Sequence, residues 1–240
     1  DFFHENIFSM RCIINMKPVE LKGVVIENKK LASDIIKISI KIDEELVFKA
    51  GQYVMIKVQN GSDSKWRAYS ILNPPSKKGK IDLCIKIIDK GFASEVFRKT
   101  KIGDEFKIKG PFGGFFFDEN DSNDEFWLIG VGTGIVPLYS VVKEHLLSNK
   151  DKKFKVFFGA RTRNDLVFHE EFLELEKNNE NFEYLVTITR EKWDGNTGRV
   201  QKHLNGNLKN KTFYICGLKE MIFETKDYLL GKRVDSENIK

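Results

Sequence analysis

Two periods of hydrophobic and polar positions divide the chain. From Val19 onward apolar residues recur at alternate positions: Val24 and Ile26, then Ile36, Ile38, Ile40 and Ile42, then Val54, Ile56 and Val58. Ile81–Ile88 and Phe106–Ile108 continue the series. Lys, Asp and Gly separate these runs, which is the pattern of half-buried strands joined by turns. Closely spaced strands with no long helix between them predict an antiparallel barrel of about six strands. Beyond the polar, acidic stretch Asp118–Asp124 the period changes. Strand patterns at Phe126–Ile129, Lys155–Phe158, Tyr184–Thr189 and Thr212–Cys216 alternate with helical ones at Ile135–Leu147, Leu166–Lys177, Val200–Leu204 and Met221–Leu230. That alternation predicts a parallel sheet covered by helices on both faces. The expected architecture is two-domain: an antiparallel β-barrel over 18–117, a linker at 118–124, and an α/β parallel-sheet domain over 125–240. Residues 1–17 have no clear period and are expected to form a peripheral leader. Their apolar run is too short, and its flanks too acidic, for a signal peptide. Met10 and Met16 allow a natural start further downstream.

Composition narrows the function classes. At 240 residues, 41% of them hydrophobic and 31% charged, the chain has enough material for two modest cores. No apolar run approaches the length of a membrane span. The net charge is +5, with Lys and Glu interspersed. Nucleic-acid binding calls for a more asymmetric basic stripe, whereas attraction to an acidic protein fits this surface. Cys12, Cys84 and Cys216 are too few and too scattered for a disulfide framework, a zinc site or an iron–sulfur site. A reducing, intracellular (cytoplasmic) location is the expectation. His145, His169 and His203 lie in or beside helical patterns and are expected at the surface, without a role.

The chemistry concentrates where strands end. Phe126–Ile129 runs into Gly130, Gly132 and Gly134, and a helical pattern follows from Ile135, with Pro137 near its start. A strand, a glycine turn and a helix N-terminus expose unpaired N–H groups and a positive dipole end, which suit a pyrophosphate. The spacing is G-x-G-x-G rather than G-x-G-x-x-G, and steric need alone also explains such turns. Arg67-Ala68-Tyr69-Ser70 lies within a strand, which puts Arg67 and Tyr69 on one face and Ser70 on the other. Arg clamps phosphate, Tyr stacks on a flat heterocycle and Ser hydrogen-bonds a ring nitrogen. An ordinary strand with a surface Arg and a packed Tyr is the plainer alternative. Gly91-Phe92-Ala93-Ser94 precedes a helical pattern over Glu95–Thr100, with Ser94 as its expected N-cap or its N–H groups as a phosphate cradle. The turn Lys109–Gly114 leads into Phe115-Phe116-Phe117, most of which is expected in the barrel core. In a parallel sheet the ligand crevice lies at the carboxyl ends of the strands. Those ends carry Arg161 and Arg163, then Arg190, while Thr197-Gly198-Arg199 adds a further arginine from a loop. Several arginines on one crevice favour a dianionic phosphate.

In order, R-x-Y-S at Arg67–Ser70, G-x-x-S at Gly91–Ser94, G-P-x-G at Gly110–Gly113, the glycine loop at Gly130–Pro137 and C-G-L at Cys216–Leu218 resemble the ferredoxin–NADP reductase superfamily. The likeness covers nearly the whole chain after the leader. It implies an FAD-binding barrel followed by a nicotinamide-nucleotide domain, with the flavin at their junction. Arg67 is then expected on the FAD pyrophosphate, Tyr69 against the isoalloxazine and Ser70 near flavin N5. Gly91, Ala93 and Ser94 are expected to hold FAD phosphates. Gly132, Thr133 and Gly134 are expected to take the coenzyme pyrophosphate, and Cys216 with Gly217 to lie close to the nicotinamide. On this basis Tyr69, Ser70 and Cys216 are the expected catalytic residues, with Cys216 not a nucleophile.

NAD-selective relatives put an acidic residue near the end of the second strand, where this chain has Arg161 and Arg163. Arg161, Arg190 and Arg199 match positions occupied by Arg in bacterial-type relatives that use NADP, so the expected co-substrate is NADP(H). The implied enzyme passes electrons between NADPH and an acidic one-electron carrier such as ferredoxin or flavodoxin. Two rivals remain: a reductase component of an oxygenase or a free-flavin reductase, and a non-catalytic nucleotide-binding subunit of a redox complex. The family adds one more strand and a tail over the flavin, whereas this sequence stops at Asn238-Ile239-Lys240. A shortened chain or an open flavin face is therefore expected, and no gating residue is named.

Overall fold

The computed structural model of the chain describes residues 17–240. Residues 1–16, which hold Cys12, Met10, Met16 and nearly all of the expected leader, lie outside the described residues. The first part comprises β1 (Val19–Ala32), β2 (Ile35–Ile42), β3 (Tyr53–Asn60), β4 (Asp63–Ser70), β5 (Lys80–Lys86), α1 (Phe92–Lys99) and β6 (Glu105–Phe112). The six strands form one sheet in the order β4-β3-β6-β1-β2-β5, and every pairing is antiparallel. The alternation read from the sequence sends Ile38, Ile40, Val54, Ile56, Val58, Ile81, Leu83 and Ile108 to a single core, but in β1 the phase is reversed: Val25 is buried, while Val24 and Ile26 face outward beside a register shift in the pairing with β2. Burying one face curls the sheet until its two edges meet. Ile71, just past β4, bridges Leu83 of β5, and the Leu72 N–H donates to the Asp82 carbonyl at 2.8 Å. Helix α1 plugs the curl through Phe97, which is fully buried and packs on Tyr69 and Phe106.

The second part comprises β7 (Glu125–Val131), α2 (Ile135–His145), β8 (Lys153–Ala160), α3 (His169–Asn178), β9 (Phe182–Ile188), β10 (Asn196–Thr197), β11 (Lys211–Cys216) and α4 (Lys219–Gly231). All its strands are parallel, in the order β10-β9-β8-β7-β11. Helices α2 and α3 cover one face with Phe126, Leu128, Val156 and Phe158. Helix α4 and the 3₁₀ turn Val200–His203 cover the other with Trp127, Ile129, Phe157 and Phe213. Burial on both faces is why these strands read as continuous apolar runs.

Several local expectations are corrected. Helix α1 starts at Phe92 with Gly91 as N-cap, so Ser94 is an interior residue; its Oγ accepts the Ile88 N–H at 2.9 Å instead. The third helical pattern starts at His169 rather than Leu166. Thr162 and Asp165 form a capping box on a short 3₁₀ turn, and Phe168 then takes a left-handed φ of 62° that interrupts the helix. Val200–His203 is a 3₁₀ turn, and β10 has no counterpart in the sequence pattern because two residues carry no period. The three histidines are packed rather than superficial. His145 lies against Phe117 at 4.6 Å, His169 Nδ1 is 3.1 Å from the Tyr184 hydroxyl, and His203 Nε2 is 3.1 Å from Thr187 Oγ1. Phe117 does not enter the barrel core; it packs on Phe126 and Phe154 beneath the parallel sheet, while Phe115 meets the edge of Tyr214.

That last exchange joins the two parts, because a residue just past β6 completes the core beneath α2. Ile35, Ala50, Leu72 and Cys84 from the barrel side share the same core. Polar contacts fix the register: buried Ser140 of α2 donates to the Asn73 carbonyl at 3.0 Å, and Ser76 donates to Glu144 at 2.7 Å. Asn73 in turn shapes its own turn, accepting the Asp82 N–H at 2.7 Å and donating to the Lys77 carbonyl at 3.1 Å. At the far edge of the parallel sheet Ile239 bridges Phe213, and the Lys240 N–H donates to the Phe213 carbonyl at 2.8 Å.

Candidate functional site

The glycine turn is wedged between the end of β11 and the start of α2. A Cβ on Gly134 would lie 2.3 Å from the Cys216 carbonyl oxygen and 2.6 Å from Gly217 Cα, so glycine is required there by the close approach of two backbones. Gly132 differs: its φ is +54° and a Cβ would meet nothing within 4 Å. One glycine brings the turn against β11, and the other leaves open space beside it. Gly132–Gly134 winds as a 3₁₀ turn directly into α2, and the Ile135 N–H closes onto the Gly132 and Thr133 carbonyls. Strand β5 runs alongside this turn. Because β5 also bridges Ile71, the residue after Ser70, the end of β4 approaches the strand that runs beside the glycine turn, whose Gly134 lies against Cys216.

A second cluster surrounds the start of α1. Strand β4 is a sheet edge, and along it Lys65, Arg67 and Tyr69 share one face. Phe92, the first residue of α1, has Lys65 Nζ at 4.6 Å and the Arg67 guanidinium carbon at 5.9 Å from its ring centre. The N-cap Gly91 provides no side-chain hydrogen bond to the first turn. Two cations and an uncapped helix N-terminus make a donor set that fits a pyrophosphate. Lys65 is an addition that the sequence reading lacks, although its period-two spacing from Arg67 is the signal that could have found it.

Tyr69 is half-buried and packs edge-on against Phe97; burial pushes its phenol up to about 12, with the Arg67 charge opposing. Burial likewise pushes the Cys216 thiol up to about 11. Both groups are neutral at physiological pH, and a thiol without thiolate character is a poor nucleophile. Iodoacetamide labelling of Cys216, followed by peptide mass spectrometry, is therefore expected to be negligible at pH 7–9 and to rise only as pH approaches about 11. Rapid labelling at pH 7 would contradict the buried, protonated thiol.

The three arginines expected on a phosphate are not equivalent. Arg161 and Arg190 follow β8 and β9 directly, and the Arg190 N–H donates to the Arg161 carbonyl at 2.9 Å. Both side chains are exposed, and neither has an ion-pair partner among the described residues. Arg199 follows Gly198, whose N–H donates to the Ile188 carbonyl at 3.0 Å, so it reaches the same edge of the sheet. Its guanidinium, however, is held by both carboxylate oxygens of Glu224 on α4. Arg163 is also engaged, 2.9 Å from Glu191.

A curled antiparallel sheet followed by a parallel sheet covered by helices is the arrangement of a two-part flavin- and nicotinamide-binding oxidoreductase, the class that the family models assign. Residues 22–117 match the oxidoreductase FAD-binding domain and residues 128–227 the oxidoreductase NAD-binding domain. The chain is 31% identical to the reductase component DmpP of phenol 2-monooxygenase from Pseudomonas sp. (strain CF600), over 92% of this chain and 65% of that protein. It is 30% identical to a component of the Na(+)-translocating NADH-quinone reductase of Haemophilus ducreyi, over 96% of this chain and 72% of that one. The chain thus spans about two thirds of the length of these relatives. Among solved structures, the Amycolatopsis cytochrome P450 reductase GcoB superposes with a TM-score of 0.85 at 23% identity, covering 92% of this chain and 68% of that one. The chain belongs to the family of flavoprotein oxidoreductases built from an FAD-binding and an NAD(P)-binding domain, and its fold is that of the ferredoxin–NADP reductase-like structures. No helix of the described residues is long and apolar enough to cross a membrane.

Proposed function

We propose that this reductase oxidises NADPH and hands the electrons singly to a small acidic carrier protein such as a ferredoxin or flavodoxin. Bound FAD would supply the coupling of two-electron to one-electron chemistry; the chain's own residues bind, orient and exclude water. Arg67, Lys65 and the first-turn N–H groups of α1 at Phe92, Ala93 and Ser94 would hold the FAD pyrophosphate, whereas the Gly91 N–H is taken by the Ile88 carbonyl. Tyr69 presents a neutral ring to the isoalloxazine, and the Ser70 hydroxyl hydrogen-bonds near N5. The turn Gly132-Thr133-Gly134 takes the coenzyme pyrophosphate in the open space beside Gly132. Cys216 and Gly217 form the wall beside the nicotinamide, where a small neutral thiol allows close approach.

The observation that supports this reading is the crossover at β5: Ile71, next to Ser70, bridges Leu83 of that strand, the strand runs beside the glycine turn, and Gly134 of the turn lies against Cys216. Coenzyme choice rests on Arg161 and Arg190, two cations side by side at the sheet's carboxyl edge with no ion-pair partner among the described residues. A non-catalytic subunit has no use for the full set. The reductase component of an oxygenase is a second reading, favoured by the likeness to the phenol 2-monooxygenase component. In that case the electrons pass to a centre carried outside the described residues or on another chain.

The test is an anaerobic titration of the FAD-loaded protein with NADPH and with NADH, following the flavin band. Bleaching is expected to be about tenfold or more faster with NADPH, as two charge-assisted contacts to a 2′-phosphate imply. Equal rates would remove the phosphate clamp and leave the reductase; a protein that takes up no FAD would sink the assignment.

A further inference from the structure

We propose that Glu224 governs how much Arg199 contributes to coenzyme choice: its carboxylate holds the guanidinium in the free enzyme and competes with the 2′-phosphate for it. The inference deepens the NADPH reading above and rests on it. Both oxygens of Glu224 accept from Arg199 Nη1, and Gln201 Nε2 also donates to Oε2 at 3.4 Å. Glu220, one turn earlier on α4, adds its negative field at Arg199. Helix α4 therefore sets two carboxylates toward a single arginine, whereas no carboxylate lies within ion-pair distance of Arg161 or Arg190 among the described residues.

The consequence follows from charge balance. A dianionic 2′-phosphate that reaches Arg199 must either displace Glu224 or lie beside it. In the first case it gives up an existing ion pair, and in the second it meets like charge. Either way Arg199 adds little net attraction, and discrimination falls on Arg161 and Arg190. The pair is exposed, with Arg199 at 66% and Glu224 at 45% of full side-chain accessibility. Water therefore screens the ion pair, and it stays exchangeable. Glu224 is thus a removable brake, and its amide analogue keeps the size and the contact to Gln201 while discarding the charge.

Calorimetric binding of 2′,5′-ADP and of ADP to the FAD-loaded protein tests this, because only the first ligand carries the 2′-phosphate. Glu224→Gln is expected to tighten 2′,5′-ADP about fivefold while leaving ADP within about twofold. Arg199→Ala alone is expected to weaken 2′,5′-ADP by less than about threefold. In the Glu224→Gln background the same substitution is expected to take back the whole gain, the non-additivity that marks a direct competition. The NADPH-over-NADH ratio of kcat/KM is expected to move in parallel. No tightening in Glu224→Gln, or an Arg199→Ala loss as large as that of Arg190→Ala, would overturn the brake while the wild-type preference for 2′,5′-ADP left the coenzyme reading in place. A wild-type protein that binds the two ligands equally would overturn both.

Discussion

Gly134→Ala is expected to destabilise the protein by about 3 kcal/mol and to abolish the response to NADPH. The added methyl would sit 2.3 Å from the Cys216 carbonyl oxygen, 2.6 Å from the Cys216 carbonyl carbon and 2.6 Å from Gly217 Cα. All three are backbone atoms at the end of a parallel strand, so no rotamer change relieves the clash. Either the start of α2 or the end of β11 must move, and the coenzyme opening is built from both. Gly132→Ala is the control. Its Cβ meets nothing within 4 Å, and only the left-handed backbone, φ +54°, resists it. About 1 kcal/mol is expected there. Urea unfolding midpoints of the two variants distinguish a steric wedge from general glycine strain, since equal losses would remove the wedge.

Arg67→Ala is expected to weaken FAD binding about 30- to 150-fold, the loss of a charge-assisted hydrogen-bonding group worth about 2–3 kcal/mol. Lys65→Ala, which removes a flexible point charge from the same cluster, is expected to cost only about threefold. Arg67→Lys should recover little, because the fork geometry is lost even though the charge is kept. Flavin retained through gel filtration, and the dissociation constant of the remainder by fluorescence, give both quantities. If Arg67→Ala holds FAD as tightly as the wild type, the cation cluster at Phe92 belongs to the strand alone, the plainer alternative the sequence leaves open. The Arg67 effect should also grow at low ionic strength, because the site is only partly buried and salt screens it.

The barrel strands are legible in the sequence because burying one face imposes a period of two on residues such as Ile36, Ile38, Ile40 and Ile42, and that signal is local. The parallel strands are legible for a related reason: Phe126–Ile129 and Lys155–Phe158 are buried on both sides and flanked by helical periods. Ser94 sits three residues deeper in its helix than its type suggests, since its hydroxyl has two equally local uses and the Ile88 N–H claims it. Phe117 belongs to the other core because an aromatic run announces burial without saying beneath which sheet. Polarity alone points the histidines to the surface, yet Phe117, Tyr184 and Thr187 take them in.

The candidate site divides along the same line. The sequence alone determined which chemical groups were present and their spacing: R-A-Y-S on a strand, glycines before a helix, arginines at strand ends, a cysteine before G-L. Those follow from short-range rules of backbone geometry and side-chain chemistry. Only the tertiary structure decided that β5 bridges Ile71, next to Ser70, while running beside the glycine turn, and that Gly134 is pressed onto Cys216. It also decided that Arg161 and Arg190 stand without an ion-pair partner among the described residues while Arg199 is held by Glu224. Arg199 and Glu224 lie on different elements, and nothing in the local pattern of either reports the other. Partnership between charges depends on distance and exposure in the folded chain, and those are set by how the sheets and helices pack.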